Sequence, residues 1–240
     1  MSPPPTSIDG TDITGATIDG QDVQEITIDG QSVFSSGFDI SDIPDNQDLH
    51  AAYDAKKLSQ SDGQAVSTFP DVTGNGFDLS VTPNTDSPTY VANGMNGNPV
   101  VRFDGIDDFL ATSFSPLSQP VSIFASYRWR EVNTGGENSI AWGTKTEPND
   151  RFRLQDNGQG QDIMFAGNLL GSGSIDTQEH IIGALYNTSN SEFRKDGIVA
   201  GSGNVGSDVL NGYVLGNQGE FISDDAAVDF GEILIYPQDK

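Results

Sequence analysis

The chain has 240 residues, with 35 acidic against 11 basic side chains and a formal net charge of −24. This charge excludes nucleic acid and anionic membranes as partners, because binding phosphates needs clustered Lys and Arg, and no apolar run approaches the roughly 18 residues of a membrane span. The 28 Gly and 12 Pro, without a sustained helical period, favour an all-β domain with many turns.

The acidic excess also points to a salty environment. A charge of this size destabilises a compact chain by self-repulsion, whereas the screening length falls to about 3 Å in 1 M salt. The composition therefore favours a protein of an extreme halophile, and an acidic mesophilic surface protein is the alternative. The start, MSPPPTSIDG, has neither the charged nor the apolar region of a signal peptide, so no export signal is expected.

The first 37 residues contain a repeat with a period of ten. Units 6–13, 16–23 and 26–33 read TSIDGTDI, ATIDGQDV and ITIDGQSV. Each unit predicts two short strands around an Asp-Gly turn, and three such units have too few apolar groups to form a core. Residues 1–37 are therefore predicted to be an assembly arm that joins copies into a homo-oligomer, a trimer or else a pentamer. An acidic linker is the alternative.

The next segment, 49–110, alternates short apolar runs with turn clusters. The runs are Leu49–Tyr53, Phe77–Val81, Pro99–Phe103 and Phe109–Ala111, and the clusters between them are DVTGNG, NGMNGN and DGIDD. Asn-Gly and Asp-Gly tolerate positive φ, so each cluster is expected to reverse the chain between antiparallel strands.

The order of these elements resembles the opening half of the concanavalin A-like, laminin-G-like jelly roll. In that family a first strand ending in Tyr-Asp-Ala leads to Asp-x-Thr-Gly-Asn-Gly and then to a Pro-Val-Val-Arg-Phe-Asp-Gly-x-Asp-Asp hairpin. The counterparts here are Tyr53–Ala55, Asp71–Gly76 and Pro99–Asp108. The resemblance implies an all-β fold: a concanavalin A-like jelly-roll sandwich over residues 38–240, preceded by a short β-repeat arm.

The resemblance continues to the end of the chain. Val121–Trp129 alternates and is predicted to be a long core strand. His180–Tyr186 and Glu192–Val199 resemble the family's paired strands around a Lys-Asp-Gly hairpin. Val228–Tyr236 resembles its closing strand, which returns beside the first.

No enzymatic activity is expected. Sandwich glucanases of this superfamily use two carboxylates on one face of a strand, in a Glu-x-Asp-x-Glu pattern, and no Glu of this chain begins that pattern. Asp229 and Glu232 are spaced i,i+3, which places them on opposite faces of a regular strand. The two His residues, His50 and His180, are expected to be strand residues.

A calcium ion is one candidate ligand. Asp71, Asn75 and Asp78 offer hard oxygens on one turn, and members of this superfamily often hold Ca²⁺ on such a loop. Because Ca²⁺ takes six to eight oxygens, other groups would have to complete the shell. An Asx-type turn without an ion is the alternative.

Sugar binding needs an exposed aromatic ring beside polar side chains. Trp142 and Tyr213 lie near predicted strand ends, next to loops rich in Asn, Asp and Gly. The predicted carbohydrate site therefore consists of Trp142 with Asn149, and Tyr213 with Asn217.

These features together predict a structural virion protein. The chain would be a capsid turret, decoration, spike or tail-fibre subunit of a tailed virus of a halophilic archaeon, in contact with other virion proteins. It would fold in the host cytoplasm without a signal peptide and would bind host cell-surface glycans as a second role. The alternative is a cellular carbohydrate-binding lectin module of a halophile.

Overall fold

The computed structural model describes residues 17–18, 21–22, 25–28, 31–35, 43, 45–81, 86–136, 138–144, 152–217 and 224–240. The chain divides into two compact units, Met1–Asn46 and Gln47–Lys240. In the described part of the chain, no helix is long and apolar enough to cross a membrane.

The first unit contains two hairpins. Strand β1 (Thr17–Ile18) pairs with β2 (Gln21–Asp22), and β3 (Glu25–Ile28) pairs with β4 (Gln31–Ser35), both antiparallel. The second and third decads therefore each form the predicted strand–turn–strand unit. The first decad, residues 6–13, lies outside the described residues.

The second unit is a sandwich of two antiparallel sheets. Each of these sheets, called sheet I and sheet II, has eight strands among the described residues. The predicted all-β sandwich is thus confirmed.

The strand bounds follow the turn residues of the sequence. Sheet I comprises β6 (Thr68–Phe69), β7 (Leu79–Ser80), β10 (Leu110–Thr112), β12 (Ser139–Gly143), β13 (Phe152–Asp156), β14 (Gln161–Ala166), β15 (Leu169–Ser174) and β19 (Tyr213–Leu215). Sheet II comprises β5 (Ala51–Asp54), β8 (Thr89–Met95), β9 (Asn98–Asp104), β11 (Val121–Trp129), β16 (His180–Tyr186), β17 (Ser191–Lys195), β18 (Ile198–Gly203) and β20 (Ala227–Tyr236). Short 3₁₀ helices lie at Asn46–Asp48, Ala55–Lys57 and Thr188–Asn190.

The strand order places β15 and β18 at one side of the sandwich. Sheet I has the order β15-β14-β13-β12-β19-β10-β7-β6, and sheet II has the order β18-β17-β16-β11-β20-β9-β8, with β5 also pairing with β20.

The core lies between the two sheets and is built by strand alternation. In β11 every second residue from Val121 to Trp129 is buried in the core, while Ser126 and Arg128 point away from it. The predicted core strand is confirmed with its bounds. The closing strand is also confirmed, because β20 pairs with β5 through Glu232↔Asp54 to Ile235↔Ala51 and with β9 through Ala227 to Phe230.

Two predicted turns have different outcomes. Asp196 and Gly197 both have positive φ and join β17 to β18, which confirms the Lys-Asp-Gly hairpin. The predicted Pro99–Asp108 hairpin is wrong, because β9 lies in sheet II and β10 lies in sheet I. Residues 105–109 carry the chain across the sandwich, and the hairpin partner of β9 is β8, through Asn96 and Gly97 at positive φ.

Candidate functional site

The predicted sugar-binding aromatics are core residues. Trp142 and Tyr213 are fully buried, and Trp142 packs 6.3 Å from the ring of Phe230 of the opposite sheet. The prediction that they form an exposed platform is wrong, since their strands lie inside sheet I and their rings turn towards sheet II. Asn217 is also buried and donates to Asp225 Oδ1 at 2.8 Å. Asn149 lies outside the described residues.

The predicted calcium ligands hold a turn together. Asp71 Oδ1 accepts hydrogen bonds from the backbone N–H groups of Ala52 and Thr73 at 3.1 and 3.0 Å, and Asp78 Oδ1 accepts from the N–H of Asp71 at 2.8 Å. Asn75 Nδ2 donates to the carbonyl of His50 at 3.0 Å. All three predicted ligands thus have protein partners, as in the Asx-type turn that was the alternative.

A different acidic group lies where the chain crosses between the sheets. One carboxylate oxygen each from Asp104, Asp107 and Asp108 lies within 4.8 Å of the others, and oxygens in this arrangement are the ligands that hard cations such as Ca²⁺ prefer. Burial, and then the charge of Asp104, raises the pKa of Asp108 to about 6. Burial, and then the charges of Asp107 and Asp104, raises the pKa of Asp225 to about 6.

These raised pKa values predict greater stability in mild acid. Asp108 and Asp225 have a folded-state pKa of about 6 against an ordinary value of 3.8, so the folded state binds more protons between these values and stability falls as pH rises through about 6. In molar KCl, the melting temperature should be higher at pH 5 than at pH 7.5. Asp108→Asn should raise it at pH 7.5 and flatten this dependence, while Asp239→Asn, at an exposed position, should change neither. An unchanged pH dependence in the Asp108 variant would contradict this account.

A cluster of three Arg residues surrounds one buried carboxylate on the outer face of sheet II. Asp229 has no exposed side-chain surface and is bound by Arg102 through two hydrogen bonds of 2.8 and 2.9 Å. Arg128 Nη2 donates to Asp229 Oδ2, and Arg130 Nε lies 4.0 Å from Oδ1. Asp229 therefore holds the three guanidinium groups together.

A groove of about 370 Å³ lies beside this cluster on the same outer face. Ser126 of β11, Gly231 of β20 and Ile181 of β16 lie together in it, because Ser126 is the register partner of Ile181. A Cβ atom on Gly231 would lie 2.6 Å from Ser126 Oγ and 3.4 Å from Met95 Cε. A larger residue at position 231 would therefore displace the Ser126 hydroxyl, which accepts a hydrogen bond from the N–H of Glu232 at 2.8 Å.

A β-bulge places a second carboxylate on this face. Ala125 pairs with Ile233 and Tyr127 pairs with Phe230, so two residues of β20 lie opposite Ser126 alone. The core residues of β20 change parity across this bulge, from Phe230 to Ile233. The expectation that Asp229 and Glu232 lie on opposite faces is therefore wrong: both point away from the core.

Glu232 forms a small ionic group with its strand partner. It is the direct register partner of Asp54, and its Oε1 accepts a hydrogen bond from Lys56 Nζ at 3.0 Å. Asp54 is buried, and its Oδ1 accepts from the N–H of Lys56 at 2.8 Å, while Oδ2 has no hydrogen-bond partner among the described residues. Burial is the main cause that raises the pKa of Asp54. All three residues line the groove.

The opposite wall of the groove contains His180 and the carboxylates of Glu179 and Asp196. His180 Nδ1 lies 2.7 Å from Asp196 Oδ2, and Nε2 lies 2.9 Å from Asp176 Oδ1. Glu179 Oε1 accepts from the N–H of Asn96 at 3.0 Å, which ties the β8–β9 turn to this wall. The groove thus has acidic walls and an apolar surface at Ile181, whose exposed fraction is 67%.

Sequence reasoning missed this groove because its members come from distant segments. Lys56 and Glu232 are 176 positions apart, and the bulge that turns Glu232 outward leaves no local pattern except Gly231. The confirmed pairing of the first and closing strands was the one available signal, since it brings residues 51–54 beside residues 232–235.

No protein-family model matches the chain, and no curated protein matches its sequence. Solved structures do match. The sialidase of Trypanosoma rangeli in complex with sialic acid aligns with a TM-score of 0.56 and 14% identity over 91% of this chain and 34% of the sialidase. This chain therefore spans about a third of that enzyme's length.

Two separate domains are also similar. Domain 4 of a GH43 extracellular arabinanase from Geobacillus stearothermophilus, in complex with arabinotriose, aligns with a TM-score of 0.56 and 18% identity over 78% of this chain and 91% of that domain. The ligand-binding domain of botulinum neurotoxin serotype D, in complex with N-acetylneuraminic acid, aligns with a TM-score of 0.58 and 10% identity over 80% of this chain and 48% of that chain. At these identities the likeness establishes the fold, which is a β-sandwich.

Proposed function

We propose that the chain is a glycan-binding β-sandwich module that holds a sugar in the groove on the outer face of sheet II. The groove itself carries this proposal. Its volume of about 370 Å³ is within the range of small-molecule sites, which combine an apolar surface with a few polar groups. Ile181 offers apolar surface for the C–H face of a sugar ring, and Glu232 and Asp54 offer oxygens that accept hydrogen bonds from hydroxyl groups.

The neighbouring structures support this class of ligand. The sialidase and neurotoxin structures contain sialic acids, and the arabinanase domain contains arabinotriose. These are properties of those proteins, and they favour a sugar as the first ligand to test on the same fold.

The charge of the groove narrows the choice of sugar. Four carboxylates line it, those of Asp54, Glu179, Asp196 and Glu232, and the basic side chains that line it are Lys56 and His180. A carboxylate-bearing sugar would be repelled by these walls. The favoured ligand is therefore a neutral glycan.

We expect neutral glycans to bind more tightly than sialylated or uronic-acid glycans on an array in molar KCl. Glu232→Gln should weaken binding of the best neutral glycan by about tenfold or more, because hydrogen bonds to charged groups contribute about 1.5–3 kcal/mol. Isothermal titration calorimetry measures the change.

Glu192→Gln is the matched control for this measurement. Glu192 is also ion-paired, with Arg194, and its side chain is 31% exposed against 29% for Glu232, but it does not line the groove. Its substitution should leave affinity unchanged. If both variants and the unmodified chain bind the glycan with equal affinity, the sugar binds outside the groove. If no glycan on the array is bound, the proposed function is wrong.

Glycoside hydrolysis is the second candidate, and one observation favours it. Asp54 and Glu232 are directly opposed on neighbouring strands, where Cβ atoms lie about 4.5–5.5 Å apart. Rotation of the two side chains could bring their carboxyl groups to the separation of about 5–5.5 Å that retaining glycosidases use. The raised pKa of Asp54 suits a general acid. Release of reducing sugar from the best-bound glycan, abolished by Asp54→Asn, would establish hydrolysis, and intact glycan after prolonged incubation would leave binding alone.

We further propose the virion surface of a halophilic archaeal tailed virus as the setting, with the alternative of a cellular lectin module. The charge of −24 supports a halophilic source, and the two hairpins of the decad repeat support an arm that joins copies into a trimer. Weak single sites would then act together through multivalency. Light scattering of the chain with and without residues 1–37 tests whether the arm is needed for oligomerisation. An identical oligomer in both cases would show that the arm does not join the copies.

A further inference from the structure

On one side of the sandwich, each of the two sheets ends in a strand that has no outer partner among the residues that the structure describes. Strand β18 is the edge of sheet II and β15 is the edge of sheet I, and they lie side by side. A Cβ atom on Gly173 of β15 would lie 4.0 Å from Ala200 Cβ, and one on Gly203 of β18 would lie 3.4 Å from Leu170 Cδ1. Together they form one continuous edge, which we call the β15/β18 edge.

The β15/β18 edge has no charged residue. Its strands read LLGSGS and IVAGSG, in a chain whose net charge is −24. Natural sheet edges are ordinarily protected from pairing by charged side chains, by proline or by a covering segment. Neither strand contains a charged residue or a proline, although acidic residues are abundant elsewhere in the chain, and the nearest charge recorded at the edge is Lys195, whose Nζ donates to the carbonyl of Ser174 at 3.2 Å.

Apolar side chains on this edge face solvent. Ile198 is 73% exposed, Leu169 is 65% exposed and Val199 is 44% exposed, and no residue of β18 is buried. In β18, the N–H and C=O groups on the side away from β17 make no hydrogen bond with any described residue. The strand therefore offers both apolar surface and unpaired backbone groups.

The opposite edge of sheet II shows how this chain covers an edge. Beside β8, Tyr90 exchanges backbone hydrogen bonds with residues 63 and 64, with Gly63 N–H to Tyr90 O at 2.9 Å and Tyr90 N–H to Gln64 O at 2.8 Å. Asp62 Oδ1 accepts from the N–H of Ala92 at 2.9 Å. Among the described residues, β8 is thus covered and β18 is open, and an open edge strand can pair with a further strand.

We propose that the β15/β18 edge is an interface with a second copy of this chain, formed by antiparallel pairing of edge strands across a two-fold axis. An antiparallel pair of identical strands is self-complementary, so each copy satisfies the other's backbone groups. Two copies that each carry −24 repel one another over most of their surface. They can approach closely where both surfaces are uncharged, which is at this edge.

The test compares two substitutions that add the same charge at equally exposed positions. Ile198→Lys places a lysine on the edge, and Ile106→Lys places one on the loop between β9 and β10, where Ile106 is also 73% exposed. Both variants lower the net negative charge by one, so overall repulsion alone would strengthen association in both. We expect Ile198→Lys instead to weaken self-association by about tenfold or more, with Ile106→Lys equal to the unmodified chain or stronger.

Sedimentation equilibrium of the full chain from about 0.1 M to about 1 M KCl measures this, with hydrogen exchange of residues 198–203 as a local readout. Residues 1–37 are identical in the unmodified chain and in both variants. A difference in self-association between these proteins therefore measures the contribution of the β15/β18 edge. Association should strengthen with salt, and the amides of β18 should become protected as concentration rises. Equal association of both variants, association that weakens with salt, a monomer throughout, or β18 amides that stay unprotected would each overturn the proposal.

Discussion

The melting temperature of this protein should rise steeply between about 0.1 M and about 1 M KCl. The 35 acidic side chains are opposed by only 11 basic ones, and their repulsion acts over about 10 Å at the lower concentration and about 3 Å at the higher one. Salt therefore lowers the free energy of charge repulsion, which is larger in the compact folded state than in the expanded chain. Each kcal/mol regained raises the melting temperature by roughly 2–4 °C for a domain of this size.

Differential scanning calorimetry across the salt series measures this effect, and a neutral osmolyte at equal osmolarity is the control. The osmolyte is excluded from the protein surface but does not screen charge, so it should raise the melting temperature far less per mole than KCl does. A variant in which Asp107, Asp224 and Asp239 are changed to Asn should show a shallower salt dependence. A melting temperature that is flat from 0.1 M to 1 M KCl would contradict the assignment to a halophile.

Asp229→Asn should be the most destabilising single polar substitution on the outer face of sheet II. Asp229 is fully buried and holds Arg102 and Arg128 directly, with Arg130 at 4.0 Å. Without its charge, three guanidinium groups would lie together, and the carboxylate still paired with them among the described residues would be that of Glu179, 3.7 Å from Arg128. Removing one member of a buried ion pair costs about 3–5 kcal/mol, which corresponds to a fall of roughly 6–20 °C in melting temperature.

A double-mutant cycle separates the ionic coupling from a general packing defect. Arg102→Gln alone leaves Asp229 with Arg128, and the double variant removes one charge of each sign. The double variant should therefore lose less than the sum of the single losses. Glu192→Gln breaks an exposed pair with Arg194 and should cost no more than about 1 kcal/mol. A loss of similar size for Asp229→Asn would show that the cluster contributes little to stability.

Residues that are close together in sequence determine two of the turns and the two faces of one core strand. Asn96, Gly97, Asp196 and Gly197 adopt positive φ, which Asn-Gly and Asp-Gly pairs tolerate, and both pairs form the turns expected from the sequence. The alternation of Val121–Trp129 fixes which side chains face the core, because successive strand residues point to opposite faces. These features depend on neighbours in sequence, so they could be predicted.

Two features that depend on the opposite sheet or on a distant strand were not predicted correctly. DGIDD has the same turn chemistry as a hairpin, yet it crosses between the sheets because β10 pairs with β7 and β19 rather than with β9. Trp142 borders a polar loop in sequence, but its ring meets Phe230 across the sandwich. Whether an aromatic ring binds a ligand or fills the core is decided by the packing of the two sheets.

The groove also combines one feature that was predicted from the sequence with one that only the structure shows. The sequence by itself determined that the closing strand returns beside the first, and so brought the neighbourhoods of Asp54 and Glu232 together. Only the tertiary structure decided that Glu232 faces outward, because the bulge opposite Ser126 reverses the alternation of β20. One extra residue in a strand exchanges its two faces, and here that residue lies opposite Ser126 of the neighbouring strand β11, which is 106 positions away from Glu232.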